Sequence, residues 1–154
     1  MKALFLAAAA ALFISSAASA HDFQIGSLTV EHPWARSTPP VAKTGAVYLS
    51  VRNNGSEEDS LIGIATATAE SAEIHVTKEE GRLTVMRHVG TVPILPGGSV
   101  RLDPGGMHVM LVGLKAPLAP DKSFPIVLTF AKAGAVEIWV EVSGREPTPA
   151  HTGH

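Results

Sequence analysis

The sequence contains no cysteine among its 154 residues. Disulfide bonds, thiolate metal ligands and cysteine nucleophiles are therefore excluded from this chain. Hydrophobic residues make up 45% of it, which is the composition of a globular protein rather than of a disordered one. We therefore expect a domain that is held together by packing and not by covalent cross-links.

An excess of basic charge is also missing. Lys and Arg number 12 against 14 Asp and Glu, so the electrostatic footprint of a nucleic-acid-binding protein is absent. The motifs G-x-S-x-G, H-E-x-x-H, G-x-G-x-x-G and the P-loop do not occur, and the Ser, His and Asp residues follow no recognisable catalytic order. We therefore expect neither a nucleic-acid-binding protein nor an enzyme.

Long apolar runs are confined to the beginning of the sequence. Lys2 precedes the apolar run 3–14, and small residues ending in Ala18-Ser19-Ala20 follow it, which is the pattern of a secretory signal peptide cleaved after Ala20. The run is too short to cross a hydrocarbon core of ~30 Å, and no later segment approaches the roughly 18 apolar residues that a span requires. We expect residues 1–20 to direct export to a bacterial periplasm and the mature chain to have no membrane span.

Glycine and proline mark many turns in the remaining sequence. The 14 glycines and 11 prolines favour many short elements over a few long helices. Roughly eight to ten strand-like segments recur at intervals of about 8 to 12 residues. This spacing predicts an all-β domain, an antiparallel sandwich or barrel, over residues 21–144. A flexible His-containing tail is expected over 145–154.

Two local patterns predict where the early strands end. A strand over residues 25–31 is expected to stop at His32-Pro33, because proline has no N–H to donate to a strand ladder. Residues 45–52 alternate apolar and polar side chains as a half-buried strand does. With the strand-like segment 60–66 they are expected to form a hairpin around Asn53-Asn54-Gly55, whose residues tolerate positive φ.

Histidine and methionine are concentrated in one stretch of the sequence. Imidazole and thioether groups can both bind a soft or borderline metal ion, a property that plays no part in the packing of a core. Taken singly, a methionine on a strand is usually core filler and a histidine is usually a surface residue, so a purely structural role stays open. The six residues of the stretch are His75, Met86, His88, Met107, His108 and Met110.

A second predicted hairpin, between residues 72–77 and 82–88, tests whether these side chains converge. If it turns symmetrically about Glu79-Glu80, Met86 becomes the diagonal neighbour of His75 on the same face, roughly 7 Å away. A bulge at the turn glycine would instead move Met86 to the opposite face. The convergence of this pair is therefore conditional on the register.

The pair His108 and Met110 needs no assumption about register. Residues at positions i and i+2 of a strand point to the same side, whereas Met107 then faces the core. Two side chains of metal-binding type therefore share one face of the strand that begins near residue 107.

The spacing of four of these residues resembles the signature of a known family. His75, Met86, His108 and Met110 match the pattern H-x10-M-x21-H-x-M of the periplasmic copper chaperones called PCu(A)C. The likeness extends over nearly all of the mature chain. It includes the segments Glu31-His32-Pro33-Trp34-Ala35-Arg36 and Asn53-Asn54-Gly55.

The resemblance implies both a fold and a function. The fold would be a cupredoxin-like antiparallel β-sandwich, and the two His and two Met would bind Cu(I) and leave Met107 and His88 outside the ligand set. The implied partner is the CuA domain of cytochrome c oxidase or another copper-accepting assembly protein, and we expect the chain to be a monomer.

The chemistry of the residues agrees with that implication. Cu(I) is a soft ion that thioether sulfur and imidazole nitrogen serve well, whereas Zn²⁺ is poorly served by methionine. Methionine also provides a soft sulfur that cannot form a disulfide in an oxidising compartment. A blue-copper electron carrier is disfavoured, because its site needs a cysteine thiolate.

The terminal histidines allow further hypotheses. Cleavage after Ala20 would leave His21 with a free α-amine, and together with His151 and His154 it offers an auxiliary Cu(II) site. His21 is also the residue on which a histidine-brace copper oxidase would be built. A periplasmic Cu(II)/Cu(I) buffering or copper-resistance protein, and a sandwich binding module without metal, also stay open as functions for this sequence.

Overall fold

The computed structural model describes residues 22–145, and this part of the chain contains eleven β-strands and no helix. The predicted all-β class is therefore confirmed. The predicted signal peptide, His21 and the tail from residue 146 onward lie outside the described residues. The strands are β1 (Phe23–Ile25), β2 (Leu28–Arg36), β3 (Thr44–Asn53), β4 (Asp59–Ala65), β5 (Ala69–Glu80), β6 (Leu83–His88), β7 (Val92–Ile94), β8 (Ser99–Leu102), β9 (Met107–Leu114), β10 (Ser123–Phe130) and β11 (Gly134–Ser143).

The strands form one hydrogen-bonded sheet in the order β6-β5-β9-β3-β2-β11-β10-β4-β7, with β1 added to β2 and β8 added to β3. Over residues 22–145 every pair is antiparallel except β2 with β11. The two ends of the sheet fold over a common core, to which β5 and β9 contribute from one end and β7 and β10 from the other. The result is the predicted antiparallel sandwich.

The alternation of apolar and polar residues decides which side chains enter the core. In β11, Ile138, Val140 and Val142 are buried, whereas Glu137 and Glu141 are exposed. Burying one such aliphatic side chain is worth about 1.5–3 kcal/mol. A register slip of one residue would expose the whole apolar set, so the core determines which face each strand turns outward.

β2 continues through His32-Pro33, so the strand end predicted there is wrong. Its pairing with β3 shifts by one residue between Glu31 and Trp34, and His32 takes a positive φ of 49°. Such a bulge leaves one residue unpaired, and a proline without an N–H can be accommodated within a strand at that point. The bulge lets β2 run on beyond the proline and brings Trp34 opposite Tyr48.

The hairpin predicted between β3 and β4 does not form. β3 pairs with β2, β8 and β9, whereas β4 pairs with β7 and β10. The reason lies in the buried Asn53, whose Nδ2 donates to the carbonyl oxygens of Glu57 and Ile94 at 2.7 and 3.1 Å. Its Oδ1 accepts from the backbone N–H of Gly55 at 2.9 Å. These bonds hold the segment 53–58 in a crossing between the two layers instead of a tight turn.

β5 and β6 form the second predicted hairpin, with a different register. The turn consists of Gly81 and Arg82, and Gly81 has a φ of 66°, which suits the first central position of a type II′ turn. The predicted centre at Glu79-Glu80 is therefore wrong, and the ladder contains no bulge. The observed partner of each β5 residue differs from the predicted partner by an even number of positions along β6. Every side chain therefore keeps the face that was predicted for it.

Asp59 ties the start of β4 to the turn between β10 and β11. It is 7% exposed, and its carboxylate accepts hydrogen bonds from the backbone N–H groups of Ser60, Lys132 and Ala133 at 2.8 to 2.9 Å. Burial acts to raise the pKa of Asp59, but these three bonds and the charge of Lys132 together outweigh it and hold the pKa below its ordinary value. The ionised carboxylate is thus part of the fold.

We predict that Asp59→Asn lowers the free energy of unfolding at pH 7 by about 1–3 kcal/mol, because the amide replaces an acceptor by a donor among buried N–H groups. The contribution of a carboxylate with a depressed folded pKa is present above its unfolded pKa of about 3.9 and is lost as the pH falls through the folded value. The variant should therefore lose less stability than the wild type on going from neutral pH to acid. Urea denaturation at several pH values measures this.

Glu141→Gln, which removes an exposed carboxylate on β11, is the matched control. It should have little effect at either pH. Equal stability of Asp59→Asn and the wild type at pH 7 would contradict the assigned role of this carboxylate.

Candidate metal centre

The pairing of β5 with both of its neighbours collects the four predicted ligands on one face of the sheet. His75 of β5 lies opposite His108 of β9. Met110 of β9 and Met86 of β6 occupy positions diagonal to His75 on the two neighbouring strands. Opposite and diagonal residues on one face of antiparallel strands have Cα separations of about 4.5 to 8 Å. His108, Met110 and Met86 are therefore each a neighbour of His75, and the same three residues also line one cavity.

Exposure rises across this group from one side to the other. His108 is 6% exposed, the His75 side chain 19% and Met86 56%. A cavity of about 420 Å³ opens beside Met86, His108 and Met110. The group thus has a buried side, which holds its side chains in place, and an open side, which a partner can reach.

The hydrogen bonds of the two histidines distinguish their ring nitrogens. His108 Nδ1 lies 3.3 Å from the carbonyl oxygen of Gly106, and its Nε2 makes no hydrogen bond to any residue from 22 to 145. His75 Nε2 lies 2.9 Å from Glu73 Oε2, and His75 Nδ1 is buried and has no hydrogen-bond partner in the same range. The bond from His75 is the main reason that the pKa of Glu73 lies below its ordinary value, while desolvation opposes it and the charges of His75 and His88 add to the lowering.

Five aromatic or imidazole rings form a continuous row over five adjacent strands. The ring centroids are 4.7 Å apart for Trp34 and Tyr48, 6.5 Å for Tyr48 and His108, 6.2 Å for His108 and His75, and 6.1 Å for His75 and His88. Trp34 and Tyr48 are both buried. They pack against the buried side of the group and restrict the position of the His108 ring.

The other residues of the His and Met stretch divide between the two faces of the sheet. Met107 packs against the core from the opposite face, as expected. His88 is exposed on the same face as His75 and directly opposite it. The candidates His21, His151 and His154 lie outside the described residues. Within 22–145, no three residues of the types His, Cys, Asp and Glu are placed to hold a metal ion together.

Sequence reasoning missed Glu73 and Tyr48. Glu73 could have been found, because it stands two residues before His75 on the same strand and so shares its face. Tyr48 could not have been placed in the same way, because its approach to His108 depends on the pairing of β3 with β9, which are far apart in the sequence.

A family model described as "Putative lipoprotein LpqE-like" matches residues 28–142. The chain belongs to the LpqE-like family. This chain is also similar to the "Putative lipoprotein Lxx21020" of Leifsonia xyli subsp. xyli (strain CTCB07), with 28% identity over 86% of this chain and 79% of that protein. Over residues 22–145, this LpqE-like protein has no helix that is long and apolar enough to cross a membrane.

Three solved structures are similar to this LpqE-like protein. The apo PCuAC domain from PmoF1 is 30% identical with a TM-score of 0.69, over 81% of this chain and all of that one. The copper-bound PCuAC domain from PmoF2 is 28% identical with a TM-score of 0.69, over 81% and 99%. The solution structure of CuI-DR1885 from Deinococcus radiodurans is 26% identical with a TM-score of 0.62, over 84% and 85%. The predicted PCu(A)C resemblance and its cupredoxin-like fold are confirmed.

We predict that Tyr48→Ala lowers the free energy of unfolding by about 3–5 kcal/mol, because it leaves a cavity between Trp34 and His108. Tyr48→Phe keeps the ring and should cost less than about 1.5 kcal/mol. Urea denaturation of the two variants measures the difference. Similar stability of the Ala and Phe variants would show that the ring is not needed for packing.

Proposed function

We propose that this protein is a periplasmic copper chaperone that binds Cu(I) through His75, Met86, His108 and Met110 and delivers it to a copper acceptor. The observation that carries the proposal is the convergence of two imidazoles and two thioethers on one face of β6, β5 and β9. Copper-bound and Cu(I)-bound relatives with the same fold support it.

The donor set fits Cu(I) better than other metals of the cell. Thioether sulfur is a soft, neutral ligand that suits Cu(I), whereas Zn²⁺ and Cu(II) favour harder or anionic donors beside imidazole. Imidazole and thioether are uncharged, so the bound Cu(I) keeps its positive charge. A partner with anionic thiolates can therefore attract the ion and compete for it. The proposed chemistry is therefore that of a carrier without a catalytic step.

The exposure of the group supports a role in transfer. Met86 is more than half exposed, whereas His108 is buried. A partner can displace Met86 first while the two histidines and Met110 still hold the ion, and the remaining ligands can follow one at a time. We infer that the recipient is a thiolate-bearing copper protein such as the CuA domain of cytochrome c oxidase.

Two observations support an exported location for the protein. The sequence predicts a signal peptide over residues 1–20, and the lipoprotein description of the matching family agrees with an exported protein. We propose that the mature chain acts in the periplasm as a monomer. The auxiliary Cu(II) site at His21, His151 and His154 is a separate hypothesis on which this proposal does not depend.

We predict that Met86→Leu and Met110→Leu each weaken Cu(I) binding. Loss of a group that only supports a metal ligand typically costs about 10- to 100-fold in affinity, and loss of a ligand itself should cost at least as much. Leucine keeps the apolar bulk and removes the sulfur, so the stability of the apo protein should change little. Competition titrations with a Cu(I) chelator measure the affinity, and urea denaturation checks the fold.

Met107→Leu is the matched control, because this third methionine of the stretch packs against the core from the other face of β9. It should bind Cu(I) as tightly as the wild type. Undiminished binding by both Met86→Leu and Met110→Leu would place the copper elsewhere on the chain.

We predict that the Cu(I)-loaded protein transfers its copper to an excess of apo CuA domain. The thiolates of that domain are stronger ligands for Cu(I) than thioethers, so equilibrium should favour the acceptor. Separation of the two proteins after mixing, followed by measurement of copper in each, gives the distribution.

Two competing functions give different results in this experiment. A buffering or resistance protein would retain Cu(I) in the presence of excess acceptor, and a histidine-brace oxidase would oxidise a substrate with its copper still bound. Retention by the wild type would refute delivery to CuA.

A further inference from the structure

The hydrogen bond between Glu73 and His75 selects one ring nitrogen of His75. Glu73 Oε2 and His75 Nε2 are 2.9 Å apart, and the two residues stand two positions apart on the same face of β5. A Glu carboxylate is ionised at neutral pH and can only accept hydrogen bonds. The hydrogen must therefore belong to Nε2, and in the neutral imidazole the free lone pair belongs to Nδ1.

That lone pair is buried and unused by the protein. His75 Nδ1 has no hydrogen-bond partner within the described part of the chain and no contact with solvent. A buried polar atom without a partner is costly, and a water or ion that binds at that position is one of the ways in which such an atom is satisfied. The sheet face from which the His75 side chain projects also carries Met86, His108 and Met110.

His108 presents the other nitrogen. Its Nδ1 is directed to the carbonyl oxygen of Gly106 at 3.3 Å, and a carbonyl oxygen can only accept, so Nδ1 carries the hydrogen and Nε2 has the lone pair. Both histidines thus have one nitrogen engaged by the protein and one free.

We propose that Glu73 is a positioning residue that holds His75 in the Nε2–H tautomer, so that Nδ1 of His75 and Nε2 of His108 are the nitrogens presented to the metal. The proposal rests on the proposed function for the identity of the ion. Carboxylate–imidazole–metal arrangements of this kind fix the tautomer and the ring orientation and raise the basicity of the ligating nitrogen. Glu73 is 44% exposed at its side chain and contributes no apolar packing to the core.

The first test needs no metal. Long-range ¹H–¹⁵N correlation spectra of the histidine rings in the apo protein, at a pH where His75 is neutral, show which nitrogen carries the hydrogen. We expect His75 to be protonated on Nε2 in the wild type and to become a mixture of both tautomers in Glu73→Ala. Protonation on Nδ1 in the wild type, or an unchanged tautomer in Glu73→Ala, would overturn the proposal.

The second test measures Cu(I) affinity in the same variants. Glu73→Ala should lose about 10- to 100-fold in affinity, and Glu73→Gln should recover part of the loss, because its amide oxygen can still accept from Nε2–H. An unchanged affinity in Glu73→Ala would refute the role of Glu73. A higher affinity would also refute it, because it would indicate that the carboxylate blocks Nε2 from binding the metal.

Glu79→Ala is the matched control, because Glu79 lies on the same strand and the same face, further along β5 and opposite Thr84. It should change neither the tautomer nor the affinity. If the wild type bound no Cu(I) at all, the proposed function would fail, and the tautomer spectra would still decide the inference about Glu73.

Discussion

The hydrogen bonds that join β5 to β6 on one side and to β9 on the other determine the geometry of the candidate centre. Antiparallel pairing places opposite residues on the same face, so one register brings His75 beside His108 and the other brings Met86 beside His75. Neither pair alone provides four ligands. The centre therefore depends on a strand that is paired along both edges.

The registers are themselves held by the core on the opposite face. Ile74 and Val109 are buried and directly opposite each other, and each is the sequence neighbour of a candidate ligand. A slip of one residue between β5 and β9 would move Ile74 to the outer face at the same time as it moved His75 inward. The apolar core thus stabilises the arrangement of the polar face, whose side chains make few hydrogen bonds of their own.

The buried polar groups Asn53 and Asp59 have a different task, since they hold strands and turns in position that the candidate centre does not use. Asn53 bonds to the carbonyl oxygen of Ile94 in β7, and Asp59 bonds to the turn between β10 and β11. In a chain without cysteine, such buried hydrogen bonds take the place that cross-links have in many exported domains. None of these hydrogen bonds involves a side chain of the candidate centre.

Much of the candidate centre was determined by the sequence itself. The shared face of His108 and Met110 follows from the two-residue period of a strand, and the predicted start of β9 near residue 107 agrees with the structure. Met86 was expected on the face of His75 provided that the hairpin had no bulge. The ladder has none, and although the predicted centre of the hairpin was wrong, a register change by an even number of positions preserves faces.

Only the tertiary structure decided what depends on distant pairing. Asn53-Asn54-Gly55 has the composition of a hairpin turn, yet it crosses between layers, because the bonds of Asn53 to Glu57 and Ile94 are not visible in the local pattern. The packing of Tyr48 against His108 depends on the pairing of β3 with β9, and the opposition of His75 and His88 depends on the turn at Gly81. Local alternation of apolar and polar residues specifies the face of a side chain. Its neighbours across the sheet are determined by packing between distant segments, so they cannot be predicted from any one short segment.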